Sequence, residues 1–304
     1  MSNNSKLLSP IKNIVRAFKP KVISRAANMF SHRENISPKY YNIGVFKVKM
    51  PEKHGLPSYQ AVHRLYDRFL PCLCAELAPD EAVIDVGANV GDTIAAIIQT
   101  CPNPILAIEG YPAYYEILRR NIDQMGQNHR VKAIQALIGR GKSSGALVPN
   151  NGTAKLEITD SGACVTLSLD DVLEDYKDIA LIKVDTDGFD FDVIMSGINT
   201  IKRTQPLLFW EGGTTDTEKF KEMYGNLSAI GYNSFWVFDN FGNLMIENCS
   251  IRHLVDFDKY VESQYKFECT RTLYYTDVLA STEKTIEMAR SAVLKYRRDR
   301  IESC

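Results

Sequence analysis

Residues 82–93, Ala-Val-Ile-Asp-Val-Gly-Ala-Asn-Val-Gly-Asp-Thr, limit the fold of this chain more than any other stretch. Val83, Ile84 and Val86 are short and apolar and are followed by glycine, the pattern of a strand buried on both faces of a parallel sheet. The chain then turns through Gly87 and Gly91 into Asp92-Thr-Ile-Ala-Ala-Ile-Ile, which has helical periodicity. A strand, a glycine turn and a helix together make a nucleotide pocket. Glycine takes positive φ cheaply and lets the backbone approach a ligand, and the helix N-terminus adds backbone donors and a partial positive charge.

The residues missing from this turn say which nucleotide suits it. A dinucleotide site carries Gly-x-Gly-x-x-Gly, and a phosphate loop carries Gly-x-x-x-x-Gly-Lys-Ser/Thr. Here the turn is Gly87-Ala88-Asn89-Val90-Gly91, with Asp85 before it, Asp92 after it and no lysine. Carboxylates repel phosphates but suit a cationic, phosphate-free nucleoside with an amino-acid tail, and S-adenosylmethionine is the common cofactor of that kind. The competing reading is an ordinary βα turn with no ligand, since fold alone does not give function.

Further strands end in acids. Pro104–Gly110 reads as a second buried strand closing on Glu109, 24 positions after Asp85 and followed by Tyr111-Pro112. An acid there can accept both ribose hydroxyls, with Tyr111 beside the adenine. Val131–Gly139 is a third strand, whose end supplies Ala136 and Leu137 to the cofactor set. The Gly/Ser/Asn-rich residues 140–162 suggest an excursion on the ligand side, and Val165–Leu173 opens a helix through Asp170. Residues 179–194 read as a strand ending at Asp185, a turn with Asp187 and Gly188, and a helix in which Asp190 and Asp192 cap and solvate the first turn. Asp185 and Asp187 are placed for chemistry. A fifth strand, Pro206–Gly213, ends in Glu211, and a helix (Asp216–Ile230) and a hairpin through Asp239-Asn-Phe-Gly-Asn follow it. The fold class expected is α/β, a doubly wound, mostly parallel mixed sheet with a terminal antiparallel hairpin and helical extensions at both ends.

The flanks are of a different character. Residues 1–40 hold eight Lys/Arg and one acid, a net +7, so the remainder of a chain with overall charge −1 carries −8. Residues 1–38 form a basic amphipathic arm, in which 1–36 could rest on an anionic membrane surface or a partner, or pack on the protein's own body. Residues 39–80 hold a strand (Tyr40–Met50) and a helix (Tyr59–Leu77) that would act as a lid, with His54 in the loop before it. The nucleoside-binding core falls in 81–278, where a further strand is expected over Arg271–Thr276 after the Ile251–Tyr265 segment, and 279–304 is a charged terminal helix. Net charge gives no reason to expect nucleic acid as a partner. Seven scattered cysteines without zinc spacing suit a reduced, cytoplasmic setting, with membrane association through the arm. Apolar runs are too short to span a bilayer.

Four segments taken together, 83–93, Ala-Ile-Glu-Gly-Tyr-Pro (107–112), Leu-Ser-Leu-Asp-Asp-Val-Leu (167–173) and Leu-Ile-Lys-Val-Asp-Thr-Asp-Gly-Phe-Asp (181–190), resemble the FkbM family of S-adenosylmethionine-dependent methyltransferases over roughly residues 55–240. The resemblance implies a class I methyltransferase fold and methylation of hydroxyl oxygens on sugars, glycans and polyketide-type products. It places Asp85, Gly87, Asn89, Gly91, Asp92 and Thr93 around the methionine tail, Glu109 at the ribose and Asp185 beside the methyl group and acceptor, with S-adenosylhomocysteine as product; Ala88 and Gly110, in the same turns, complete the expected cofactor set. Asp187 and Asp190 depart from the family's usual glutamate, and Thr186 from its usual valine.

The expected reaction is an SN2 methyl transfer to a sugar or glycan hydroxyl, in which alignment and exclusion of water do most of the work. Asp185 is the first choice as base, with Asp187, Glu211 and His54 as alternatives. No metal is expected; the alternative is a divalent cation between Asp185 and Glu211. Tyr59, Trp236 and Phe241 could stack on a sugar or fill core. The rival readings are a nicotinamide oxidoreductase and a non-catalytic cofactor-binding module. Acceptor identity and oligomeric state stay open.

Overall fold

The computed structural model describes residues 39–51, 54–63, 65–144, 146–150, 153–157, 163–212, 216–266 and 273–302. The expected arm over 1–38 lies outside the described residues. The chain opens with strands β1 (Lys39–Ile43) and β2 (Phe46–Met50) and two short helices, α1 (Leu56–Val62) and α2 (Phe69–Cys74). The alternating core follows: β3 (Ala82–Val86), α3 (Asp92–Ile97), β4 (Ile105–Glu109), α4 (Pro112–Gln124) and β5 (Val131–Gln135). An excursion of small strands comes next, β6 (Lys142–Ser144), β7 (Ala146–Asn150), β8 (Thr153–Glu157) and β9 (Ala163–Val165), in which β6 pairs with β9 and β7 with β8. Then come α5 (Leu169–Val172), β10 (Ile179–Val184), α6 (Asp190–Ser196), α7 (Ile198–Thr204), β11 (Leu207–Gly212) and α8 (Thr217–Ala229). The chain ends in β12 (Ser234–Asp239), β13 (Leu244–Cys249), α9 (Ile251–Lys266), β14 (Thr276–Ser281) and α10 (Ile286–Glu302).

Eight strands form the main sheet in the order β13-β12-β14-β11-β10-β3-β4-β5. From β5 to β11 neighbouring strands are parallel; β14 runs antiparallel between β11 and β12, and β13 is an antiparallel edge. Every residue of β3, β4 and β10 is buried, as a strand covered by helices on both faces requires. One face packs Ile94, Leu118, Leu181 and Trp236; the other packs Ile84, Leu106, Trp210 and Tyr224. Strand order reverses at β3, with β4 on one side and β10 on the other, so their carboxyl ends open a crevice at a topological switch point. This is the α/β, mostly parallel sheet with an antiparallel hairpin that the sequence led us to expect.

Several local expectations are corrected. Tyr40–Met50 is a hairpin, because Gly44 turns the chain at φ 55°. The single helix over Tyr59–Leu77 is two helices joined by a turn in which Asp67 takes a left-handed φ of 57°. Pro71 is the reason: it has no N–H to give to residue 67, so it is tolerated only in the first turn of a helix that starts afresh. The Ile251–Tyr265 segment is a helix. The last strand begins at Thr276, where the strand expected at Arg271–Thr276 would have ended; Val278-Leu-Ala is its buried centre, a continuous apolar run as an interior strand needs. The terminal hairpin β12–β13 does not pair with β11 itself, because β14 inserts between them.

Candidate active site

The carboxyl ends of β3, β4, β10 and β11 surround a cavity of about 650 Å³. Of the residues expected around a cofactor, Gly87, Asn89, Asp92, Thr93, Glu109, Gly110, Tyr111, Ala136, Leu137 and Asp185 line it, as do Asp187, Glu211 and His54. Asp85, Ala88 and Gly91 do not. Asp85 is fully buried beneath the floor, Ala88 is 2% exposed, and Gly91 caps α3 in a left-handed conformation (φ 85°) where a Cβ would meet Leu118.

The turn after β3 is fixed by backbone contacts. Gly87 and Ala88 donate their N–H groups to the carbonyl of Ile108 on β4. Gly87 lies at φ 82°, and a Cβ there would fall 1.8 Å from the backbone oxygen of Asp185, so the first turn and the end of β10 touch through glycine. Glu109 accepts the N–H of Asn89 at 2.8 Å on one oxygen and that of Tyr111 at 2.6 Å on the other. Burial pushes its carboxyl up to about 7, although these two donors pull the other way.

Carboxylates line the β10 and β11 side of the cavity. Asp185, Asp187 and Glu211 are joined there by Asp67 and Asp277. Burial, then the charges of Asp185 and Asp190, push Glu211 well above the usual carboxylate range; Asp277 is pushed up by burial, then by Asp67 and Asp185. Asp67 has open surface on the cavity side yet lies deep among protein atoms. Remoteness from bulk water, then Asp92 and Asp185, push it up to about 7. Asp190, expected to cap a solvated helix turn, is 1% exposed and accepts from the Thr186 hydroxyl. Burial and then the charge of Asp185 push it up to about 7. Asp192 keeps the expected solvated role, pairing with Arg140 at 3.0 Å.

Two cationic side chains line the cavity among the described residues, and both are engaged. Arg140 is bound to Asp192 and lies 4.5 Å above the Phe191 ring. Lys183 is paired with Asp85 at 3.0 Å and Asp185 at 3.3 Å. His54 Nδ1 accepts the N–H of Leu56 at 3.3 Å, so the neutral ring carries its proton on Nε2. Tyr59 and Tyr66 stack with centroids 5.2 Å apart, and the Tyr275 hydroxyl donates to that of Tyr66 at 3.4 Å. Trp236 is fully buried in core, and Phe241 stacks on His63 at 3.9 Å outside the cavity lining. Among the described residues, no three His, Cys, Asp or Glu side chains are grouped to hold a metal ion, and no helix is long and apolar enough to cross a membrane.

Sequence reasoning missed Lys183, Asp67, Tyr66, Tyr275 and Asp277. Lys183 had a readable signal, since a lysine inside the apolar run Ile179–Val184 must find a buried anion. Tyr66 and Asp67 fall within the segment expected to act as a lid, though nothing singled them out there; Tyr275 and Asp277 reach the cavity only through the tertiary fold.

Residues 85–234, about half of the chain, match the methyltransferase FkbM domain. Among solved structures, the methyltransferase FkbM from Methylobacillus flagellatus KT is similar at 16% identity and TM-score 0.37, covering 57% of this chain and 52% of that one. The O-methyltransferase from Bacillus cereus in complex with SAH is similar at 10% identity and TM-score 0.40 (90% and 91%). M. jannaschii TYW2 in complex with AdoMet is similar at 9% identity and TM-score 0.42 (81% and 86%). No curated protein sequence matches significantly. Through residues 85–234 the chain belongs to the FkbM methyltransferase family.

Proposed function

We propose that the chain transfers a methyl group from S-adenosylmethionine to a hydroxyl oxygen of a sugar or glycan. The observation that carries this reading is the carboxylate-lined cavity at the β3/β10 switch point, whose two cations are already engaged. Such a wall favours a sulfonium nucleoside and disfavours the pyrophosphate of a nicotinamide dinucleotide. Its volume suits a nucleoside with an amino-acid tail and leaves room for part of an acceptor. Glu109, on the cavity wall at the end of β4, would accept the ribose hydroxyls on its remaining lone pairs, and the stacked pair Tyr59 and Tyr66 would offer a flat apolar face to a sugar ring.

When bound, the cofactor supplies an electrophilic methyl group. The chain's own residues align the acceptor, exclude water and take a proton. Glu211 replaces Asp185 as the preferred base. Its burial among other carboxylates raises its affinity for a proton, whereas the Asp185 carboxylate is already held by the Lys183 ammonium at 3.3 Å. His54 fits a donor better than a base, because its Nδ1 lone pair is taken. Asp187 is held on a short turn at φ 52° and serves the rim. The basic arm 1–36 would bring the domain to an anionic surface or a partner carrying the acceptor.

The test is labelled methyl transfer to glycan extracts, with calorimetry of S-adenosylmethionine, S-adenosylhomocysteine and NAD. Glu211→Gln should keep cofactor affinity and lose turnover; near-normal turnover removes Glu211 from the mechanism. Heat with NAD and none with either sulfur nucleoside would overturn the reading.

A further inference from the structure

Lys183 stands at the middle of the sheet, on β10 directly across from Asp85 on β3. It is 5% exposed and flanked by Ile182 and Val184. A lysine there is expensive to desolvate unless its charge is met. Three acceptors meet it: Asp85 Oδ1 at 3.0 Å, Asp185 Oδ2 at 3.3 Å and the carbonyl of Gly87 at 3.2 Å. The Gly87 carbonyl takes a hydrogen bond from the ammonium, and the two carboxylates meet its charge as ion pairs. Burial alone would pull its pKa down; Asp85 and then Asp185 outweigh that and push it above the usual lysine value.

The three acceptors are not equivalent. The Asp85 side chain is fully buried, while that of Asp185 keeps 52% of its surface open on the cavity side. Asp85 and the Gly87 carbonyl are therefore the fixed end of the arrangement, and Asp185 is the end presented to the cavity. We propose that Lys183 is a positioning residue: anchored by Asp85 and the Gly87 carbonyl, it holds the Asp185 carboxylate at the cavity floor, where that carboxylate faces the sulfonium of S-adenosylmethionine. This rests on the methyltransferase reading. It separates two tasks among the acids, with Asp185 stabilising positive charge and Glu211 taking the proton.

The test compares calorimetric affinities for S-adenosylmethionine, whose sulfur is cationic, and S-adenosylhomocysteine, whose sulfur is neutral. Lys183→Met alone leaves Asp85 buried without its cation and can unfold the chain, so the informative variant is Asp85→Asn/Lys183→Met, with Asp185→Asn as a folded reference because that side chain is half exposed. Each should lower the affinity ratio of the sulfonium ligand over the neutral one, by about tenfold for a charge contact of this kind. Adding Asp185→Asn to the double variant should lower it no further. A purely architectural Lys183 would weaken both ligands equally and additively with Asp185→Asn, and that result overturns the proposal. So does an unchanged ratio in Asp185→Asn, whether or not the Lys183 variants fold. If the wild-type chain binds neither ligand, the methyltransferase reading itself has failed.

Discussion

Gly87→Ala tests most directly how the first turn is built. The native residue lies at φ 82°, and an added Cβ would fall 1.8 Å from the carbonyl oxygen of Asp185, where ordinary contact begins at 3.4 Å. The two backbones would have to separate by about 1.6 Å, breaking a contact that the Lys183–Gly87 hydrogen bond also maintains. Left-handed strain for a non-glycine residue adds roughly 1–2 kcal/mol, and overpacking a rigid site about 1–3 kcal/mol, so the expected loss is about 2–5 kcal/mol. Gly126→Ala separates these contributions, because Gly126 also has positive φ (69°) but a Cβ there meets nothing within 4 Å; only the roughly 1–2 kcal/mol backbone strain remains. Urea unfolding of both variants gives the difference, and calorimetry with S-adenosylhomocysteine shows whether Gly87→Ala also loses the ligand. Equal destabilisation of the two variants, with binding intact, would refute the close-approach argument.

Two further outcomes are expected. Asp190 ionises near its ordinary 3.8 when unfolded but at about 7 when folded. The folded chain thus holds more protons between those values, and stability should fall as pH rises through roughly 4 to 7. Asp190→Asn should flatten that slope in thermal melts, and an unchanged slope would show that Asp190 does not carry it. Tyr224 donates its hydroxyl to Asp258 at 2.7 Å, both being buried; Tyr224→Phe should cost roughly 1.5–3 kcal/mol in urea unfolding, and a loss below the error of the fit would show the bond to be dispensable.

The parts of the site that were legible in the sequence are those where function and local structure share a few consecutive residues. The turn 87–93, the acid closing β4 and the Asp185–Asp187 turn all lie at the ends of apolar strands, so strand recognition located them automatically. Asp85 shows the limit of this reasoning: the motif marks it, but only the fold shows that it points at Lys183 and not into the cavity. Asp67 was hidden inside a stripe of helical periodicity that Pro71 interrupts. Asp277 sits two positions into β14, just past the residues expected to form that strand, and its place beside Glu211 comes from pairing across the sheet. Asp190 was misjudged because spacing shows an acid in a first helical turn but not whether water reaches it.

The hairpin between β12 and β13 does more than end a sheet. Its Gly242 sits so close to the turn before α2 that a Cβ would fall 2.3 Å from the Leu65 carbonyl, and the Tyr296 hydroxyl of α10 donates to the Gly242 carbonyl at 2.6 Å. The turn presenting Asp67, among the earliest described residues, is thus clasped by the latest. A nascent chain has made the whole 85–234 segment before Gly242 and Tyr296 emerge, so this wall is fastened only after that segment is complete. A fragment trimmed to the recognisable domain would keep the glycine turn and Glu109 but lose Asp67, Tyr275 and Asp277.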